Sequence, residues 1–111
     1  MENCIFCKII RGEIPSNKVF ENDKVYAFRD INPQAPTHVL IVPKKHMANV
    51  MECDNETMGH ILDAAKAIAK AEGVTESGFR LVTNCGTGAG QTVFHLHFHL
   101  LGGKQLSDHM D

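Results

Sequence analysis

Three histidines, His95, His97 and His99, alternate with large apolar residues in the run HLHFHLL. Successive side chains of a β-strand point to opposite faces, so this run predicts a strand with three imidazoles on one face. The opposite, core-facing side would then carry Phe94, Leu96, Phe98 and Leu100. Imidazole can bind a metal, attack phosphorus or titrate near neutral pH. Three kinds of site therefore stay open: a metal site, a nucleophile with helper residues, or a pH-sensitive surface.

A glycine-rich loop, Gly86-Thr87-Gly88-Ala89-Gly90, comes just before the histidine run. It is not a P-loop, because no Gly-Lys-Ser/Thr follows it. On its own it is typical of a flexible hairpin turn. Next to three histidines, its backbone N–H groups favour a phosphate site. The combination predicts nucleotidyl or phosphoryl transfer through a phosphohistidine. One metal ion held by all three histidines is disfavoured, because alternate residues of a strand lie about 7 Å apart.

A second group of chemically active residues begins with Cys4 and Cys7, which are three apart and would share one side of a short helix or turn. With His46 and one histidine of the run they could form a Cys₂His₂ zinc site. Four protein ligands would leave no open position, so such a site would be structural. The alternative is that both cysteines are small buried hydrophobic residues. Cys53 and Cys85 have no partner pattern and are interpreted as packing residues.

The elements that must position these groups form an α+β pattern. We expect a hairpin of strands 18–21 and 24–30, a buried strand at 37–42, a strand at 78–84 and the histidine strand. One long helix would begin after Asp54 as N-cap and end at Gly73. Its apolar stripe would comprise Met58, Ile61, Leu62, Ala65, Ile68 and Ala69. A second stripe of small residues (Ala64, Ala67, Ala71) indicates either a dimer contact or a shallow solvent face.

Length and composition predict one domain over residues 1–111, with a loose polar tail at 104–111. The net charge is −2 and no basic cluster is long enough to bind a polyanion, so no nucleic-acid partner is expected. No segment is long and apolar enough for a membrane span. The N-terminus has neither the basic nor the apolar region of a signal peptide, which predicts the cytoplasm. In that compartment, four cysteines argue against a disulfide framework.

The run at 95–101 resembles the H-φ-H-φ-H-φ-φ signature of the histidine triad (HIT) family, where φ is apolar. Four further segments, CIFCKI (4–9), FRDINPQAPTH (28–38), PKKH (43–46) and GQTVFH (90–95), are similar to the Hint branch of that family. The resemblance covers nearly the whole chain. It implies an antiparallel sheet, five-stranded here, with one long and one short helix, and a homodimer whose sheets join across the interface.

The resemblance also implies a role for each matching residue. His97 would be the nucleophile, with His99 and His38 in support. Residues at the phosphate would be Asn84, Gly90, Gln91 and Thr92. Asp30, which pattern alone would interpret as a turn cap, would bind the ribose. The purine pocket would be lined by Ile5, Phe6, Ile9, Phe28 and Ile31. The zinc ligands would be Cys4, Cys7, His46 and His95.

The implied activity is cleavage of the P–N bond of adenosine 5′-phosphoramidates to release AMP, with structural zinc and no organic cofactor. The alternatives are a dinucleoside polyphosphate hydrolase and a nucleotide-binding regulatory protein with little turnover. One feature departs from the branch, which often ends in an aromatic, proline-containing tail. This chain ends in KQLSDHMD and contains no tryptophan. The leaving group that the site accepts is therefore left open by the resemblance.

Overall fold

A computed structural model of the protein describes residues 3–110. Five strands form one antiparallel sheet in the order β1-β2-β3-β5-β4. The strands are β1 Lys18–Glu21, β2 Val25–Arg29, β3 Thr37–Pro43, β4 Phe79–Val82 and β5 Phe98–Gly102. The helices are a short α1, Ile5–Ile10, and a long α2, Asn55–Ala71. The expected α+β fold is confirmed. The structure does not describe Met1, Glu2 or Asp111. The first two belong to the N-terminus in which no signal peptide was found, and the third is the last residue of the expected tail.

The sheet has an apolar core on each face, because its central strands are buried on both sides. Val39 and Ile41 of β3 face the larger core, which α2 covers. Leu40 and Val42 of the same strand face the smaller core, which α1 covers. The continuous apolar run of β3 predicted this two-sided burial. The histidine site develops on the α1 face, because His99 pairs with Leu40 across β3 and β5 and so shares its face.

Helix α2 begins and ends where its end signals predict. The Asp54 side chain accepts a hydrogen bond from the Thr57 N–H at 3.3 Å, and Gly73 follows the helix with a φ of +72°. One detail of the predicted stripe is wrong. Leu62 is 44% exposed, whereas Ala64, assigned to the second stripe, is fully buried in the core. The apolar stripe is therefore rotated by part of a turn, because the small alanine lets the helix approach the sheet.

The predicted histidine strand is also partly wrong. Strand β5 begins only at Phe98, so His99 lies in it, while His95 and His97 precede it in irregular backbone. The cause is a long-range hydrogen bond, since the N–H of Leu96 donates to the carbonyl of Met47 at 2.7 Å instead of joining the sheet. The predicted alternation of burial still holds for three of the apolar residues, Leu96, Phe98 and Leu100. The fourth, Phe94, is 49% exposed instead of buried.

The C-terminal segment after β5 contains no helix or strand within residues 103–110. It nevertheless contacts the sheet, because the guanidinium of Arg80 on β4 donates to the carbonyl of Ser107. Across the described chain, no helix combines the length and the hydrophobicity that a membrane crossing requires.

Candidate active site and metal site

The three histidines expected at the active site, His38, His97 and His99, lie next to one another. His38, at the start of β3, places Nε2 at 2.9 Å from Nδ1 of His99 on β5. The His97 and His99 rings lie 5.1 Å apart, centroid to centroid, in an edge-to-face arrangement. Phe6 of α1 contacts His97 from the other side, with ring centroids 5.1 Å apart. The sheet and the short helix therefore hold the histidines as one cluster.

The tautomer of His97 follows from its hydrogen bond. Nδ1 lies 2.8 Å from the backbone carbonyl of His95, and a carbonyl can only accept. Nδ1 therefore carries the proton, and the lone pair of the neutral ring lies on Nε2. The backbone of His97 is itself held, because the Thr83 hydroxyl donates to its carbonyl at 2.9 Å. This arrangement presents an imidazole lone pair of fixed orientation.

Asp30 lies beside this cluster and is also part of a turn. One carboxylate oxygen, Oδ1, accepts from the Asn32 N–H at 2.8 Å. The other, Oδ2, lies 3.4 Å from Nε2 of His38. The turn-cap role that pattern alone favoured for Asp30 is therefore filled by one of its two oxygens. The second oxygen contacts the histidine cluster.

Burial keeps two of these imidazoles neutral near neutral pH. The pKa of His99 is lowered to about 4, mainly by burial and in addition by the nearby His97 and His38. Burial also lowers the pKa of His38, against the opposing charge of Asp30. A neutral imidazole has one donor and one acceptor nitrogen, so the hydrogen-bond partners decide what each ring presents.

The predicted metal ligands also come together, between α1 and the segments after β3 and before β5. The ligand atoms of Cys4, Cys7, His46 and His95 all lie within 4.8 Å of one another. Nδ1 of His95 is 3.3 Å from Cys4 Sγ and 3.6 Å from Cys7 Sγ, and Nδ1 of His46 is 3.4 Å from Cys7 Sγ. A tetrahedral zinc site separates sulfur and nitrogen ligands by about 3.5 Å. The cluster is therefore compatible with a metal site.

The tautomer of His95 supports the same conclusion. Its Nε2 lies 2.8 Å from the carbonyl of Pro43, so Nε2 carries the proton and Nδ1 faces the thiols as a lone pair. Burial lowers the pKa of His95, which keeps the ring neutral. Burial raises the pKa of the Cys7 thiol, so a metal must displace its proton.

A second group of ligand atoms, on Asp30, His38 and His99, is equally close. Its hydrogen bonding opposes a metal ion, because Nδ1 of His38 accepts from the Gln34 N–H at 3.0 Å. If Nε2 of neutral His38 bound a metal, Nδ1 would have to carry the proton and would face this N–H donor. The chain therefore offers one favourable metal site among its described residues.

The loop before the histidines is held by Gln91, which is 3% exposed. Its Oε1 accepts from the Gly86 N–H at 2.8 Å, and its Nε2 donates to the carbonyls of Ala48 at 2.7 Å and Val93 at 3.1 Å. All the polar groups of this amide are therefore used within the protein. The expected contact between the Gln91 side chain and phosphate is not available in this structure.

The backbone amides of the loop are used in part. The N–H groups of Gly90 and Gln91 donate to the carbonyls of Thr87 and Gly86 at 3.0 and 3.1 Å. These two N–H groups are therefore occupied by hydrogen bonds within the loop. Asn84 is half-buried and Thr92 is exposed at the two ends of the loop. These two side chains flank the loop, and the exposed side chain of Thr87 lies within it.

The residues expected around a purine divide between core and surface. Phe6, Ile9 and Phe28 are buried in the smaller core, whereas Ile5 is 46% and Ile31 is 89% exposed. A cavity of about 220 Å³ opens among Ile9, Phe28 and Ile31. A larger one of about 590 Å³ lies beside Ile5 and Thr92 and reaches the metal cluster. Four of the five expected lining residues thus border one of these two cavities, and Phe6 borders neither.

Several groups that hold the site were missed by the sequence interpretation. They are the backbone carbonyl of Pro43, the N–H of Gln34 and the hydroxyl of Thr83. Two of them are main-chain groups, whose role does not depend on the residue type and so cannot be read from the sequence. Thr83 could have been considered, because a threonine in the segment that runs beside the histidine strand can reach its backbone.

Comparisons with known proteins agree with this arrangement. A purine nucleoside phosphoramidase of Escherichia coli is 48% identical over 108 residues, which cover 95% of this chain and 91% of that protein. A 14 kDa zinc-binding protein of Zea mays is 52% identical over 108 residues, covering 93% of this chain and 84% of that protein. The solved structure of a HIT family hydrolase from Clostridium thermocellum is 51% identical with a TM-score of 0.95, covering 99% of this chain and 98% of the other. The model of the HIT domain family matches residues 11–106, and the chain therefore belongs to that family.

Proposed function

We propose that the protein is a purine nucleoside phosphoramidase, a hydrolase that releases AMP and an amine from adenosine 5′-phosphoramidates. The observation that carries this proposal is the hydrogen bond from His97 Nδ1 to the His95 carbonyl, which leaves Nε2 as the nucleophile. The E. coli relative that bears this name supports the choice of substrate.

The reaction has two steps. His97 Nε2 attacks phosphorus, an N–P bond forms, and the P–N bond of the substrate breaks. The amine leaves with the bonding electron pair and with a proton from a donor group of the site, and the water of the second step returns a proton to that group. Water then attacks phosphorus, the bond to His97 breaks, and AMP is released. One water is consumed in total: its oxygen and one hydrogen join phosphorus, and its other hydrogen ends on the amine.

The binding roles follow from which groups are free. We assign the phosphate contacts to Asn84 and Thr92, while Gly90 and Gln91 hold the loop that carries them. Asp30 Oδ2, next to His38, would accept from the ribose hydroxyls. The base would lie against the expected apolar residues, which are Ile5, Phe6, Ile9, Phe28 and Ile31. His99 and His38 would support the phosphoryl group.

We further propose that the metal is zinc, held by Cys4, Cys7, His46 and His95 in a structural site. The donor set and spacing fit zinc, and the Zea mays relative is named for zinc binding. Zinc there would join α1 to the segments that follow β3 and precede β5. No organic cofactor is required by the two steps above.

We also propose a cytoplasmic homodimer. Strand β4 lies at an edge of the sheet, and its first residue, Phe79, is 39% exposed. A second copy pairing along this edge would continue the sheet and cover the ring.

A substrate comparison tests the proposed activity. The purified protein is incubated with an AMP amide of a primary amine and, separately, with a diadenosine polyphosphate, and AMP release is measured. We expect faster release from the amide. Faster release from the dinucleotide would favour the polyphosphate hydrolase, and nucleotide binding without release would favour a regulatory protein. His97→Asn should abolish release, whereas the control His60→Asn, on α2, should not change it.

A further inference from the structure

The hydrogen bond at Nδ1 of His38 sets the protonation of the whole cluster. The partner is the backbone N–H of Gln34, 3.0 Å away. An amide N–H can only donate, so Nδ1 must offer its lone pair. A doubly protonated His38 would lose this bond and place two protons face to face. The turn at Gln34 therefore selects the neutral ring with its proton on Nε2.

The surroundings of Nε2 agree with this assignment. It lies 2.9 Å from His99 Nδ1 and 3.4 Å from Asp30 Oδ2. The carboxylate can only accept, so it favours a proton on Nε2 of His38. The contact with His99, which is ambiguous on its own, becomes a bond from His38 to His99. These groups face His38 from β5, from the end of β2 and from the turn that holds Gln34.

The consequence for His99 is direct. Its Nδ1 accepts from His38, so its own proton lies on Nε2. Among residues 3–110, no buried side-chain polar atom lacks a hydrogen-bond partner, and His99 Nε2 has no partner among these residues. Nε2 of His99 is therefore open to solvent or a ligand. His97 next to it presents a lone pair, and His99 presents an N–H.

We propose that Gln34 is a positioning residue that acts through its backbone N–H: by way of His38, it fixes His99 as a hydrogen-bond donor beside the His97 lone pair. This inference rests on the proposed function for its chemical meaning. A phosphoryl group attacked by His97 gains negative charge on its oxygens, and an N–H directed at one of them stabilises that charge. The opposite tautomer of His99 would present a lone pair to the same oxygen and would repel it.

The most direct test uses the unaltered protein without substrate. Imidazole ¹⁵N chemical shifts distinguish protonated from unprotonated ring nitrogens. Near neutral pH we expect His38 and His99 each to be protonated on Nε2 alone. A proton on Nδ1 of His38, or on Nδ1 of His99, would overturn the proposal. Because no turnover is involved, this result is independent of the proposed activity.

Substitutions at Gln34 test the function of the bond. Gln34→Pro removes the N–H, whereas Gln34→Ala keeps it and removes only the side chain. We expect Gln34→Pro to redistribute the protons of His38 and His99 and to lower kcat about 100-fold with little change in KM, and Gln34→Ala to match the wild type. If the proline variant does not fold, an amide-to-ester replacement at position 34 removes the same N–H. If His38 and His99 kept their tautomers in whichever variant lacks the N–H and folds, the proposal would be overturned. An equal loss of activity in Gln34→Pro and Gln34→Ala would also overturn it. If the wild type shows the expected tautomers and releases no AMP, the proposed activity is overturned and the proposed role of Gln34 is not.

Discussion

The ring of His97 donates from Nδ1 to the backbone carbonyl of His95, 2.8 Å away, while the ring of His95 faces the two thiols of the metal cluster. One short segment therefore joins the metal cluster to the proposed nucleophile. In the proposed zinc site, four protein ligands would leave the metal no open position and therefore no part in the reaction.

Loss of a thiol ligand should remove the metal and weaken the fold. We expect Cys7→Ser to purify without stoichiometric zinc and to lose about 3 kcal/mol of unfolding free energy. Elemental analysis and urea unfolding measure both effects. The matched control is Cys85→Ser, since Cys85 is an exposed free cysteine outside the cluster. Equal zinc content in the Cys7→Ser and Cys85→Ser variants would contradict the ligand assignment. A second equivalent of tightly bound zinc in the wild type would contradict the exclusion of metal from His38 and His99.

The order of the elements could be predicted from the sequence because it depends on local patterns. The buried run of β3, the Asp54 cap and Gly73 each have a direct physical cause in neighbouring residues. The start of β5 could not be predicted, since the bond between the Leu96 N–H and the Met47 carbonyl joins residues far apart in the chain. A period-two pattern shows which side chains are buried, and it does not show whether the backbone joins a sheet.

The residues that the structure brings together could be predicted, but the hydrogen-bond partners of each one could not. Gln91 matches a motif whose resemblance implies phosphate contact, yet its amide is used entirely by three backbone groups. The residue type is compatible with both roles, and only the partners in space separate them. The same holds for Gln34, whose contribution is a main-chain N–H that any residue except proline would supply.

Replacement of Gln91 by methionine separates those two roles. If the side chain holds the loop, Gln91→Met leaves buried backbone groups without partners and should lower the unfolding free energy by about 3 kcal/mol. The exposed Gln105 offers a control, and Gln105→Met should change stability by less than about 0.5 kcal/mol. A Gln91→Met variant of wild-type stability with a raised KM would instead indicate direct phosphate binding.

The hydroxyl of Thr83 should matter for catalysis because it holds the backbone of His97. Thr83→Val removes the hydrogen bond at nearly constant volume. We expect kcat to fall about tenfold, since small displacements of a reacting group are costly, and stability to fall by about 1 kcal/mol. Thr83→Ser keeps the hydroxyl and should restore most of the activity. Equal kcat values for the valine and serine variants would show that the bond does not position His97.

Acid should destabilise the fold through the buried histidines. The pKa of His99 is lowered from 6.5 to about 4, mainly by burial. Between these two pH values the unfolded chain binds a proton at this residue and the folded chain does not. This stabilisation is complete above pH 6.5 and is lost as the pH falls towards about 4. The urea midpoint should therefore fall between pH 6.5 and about pH 5, above the range where most carboxylates titrate. His99→Asn should show a shallower fall, and an identical pH dependence in both proteins would contradict the assignment.

The central claim is that AMP is carried covalently on Nε2 of His97. A slow variant, His99→Asn, is mixed with an adenosine 5′-phosphoramidate, stopped within the first turnover, digested and mapped by mass spectrometry. The mechanism predicts one AMP adduct, on the peptide segment that contains His97, with fragment ions that assign it to that residue. An adduct on His95 would contradict the separation of metal and catalytic roles. Release of AMP by wild type with no adduct at any histidine would contradict the covalent mechanism itself.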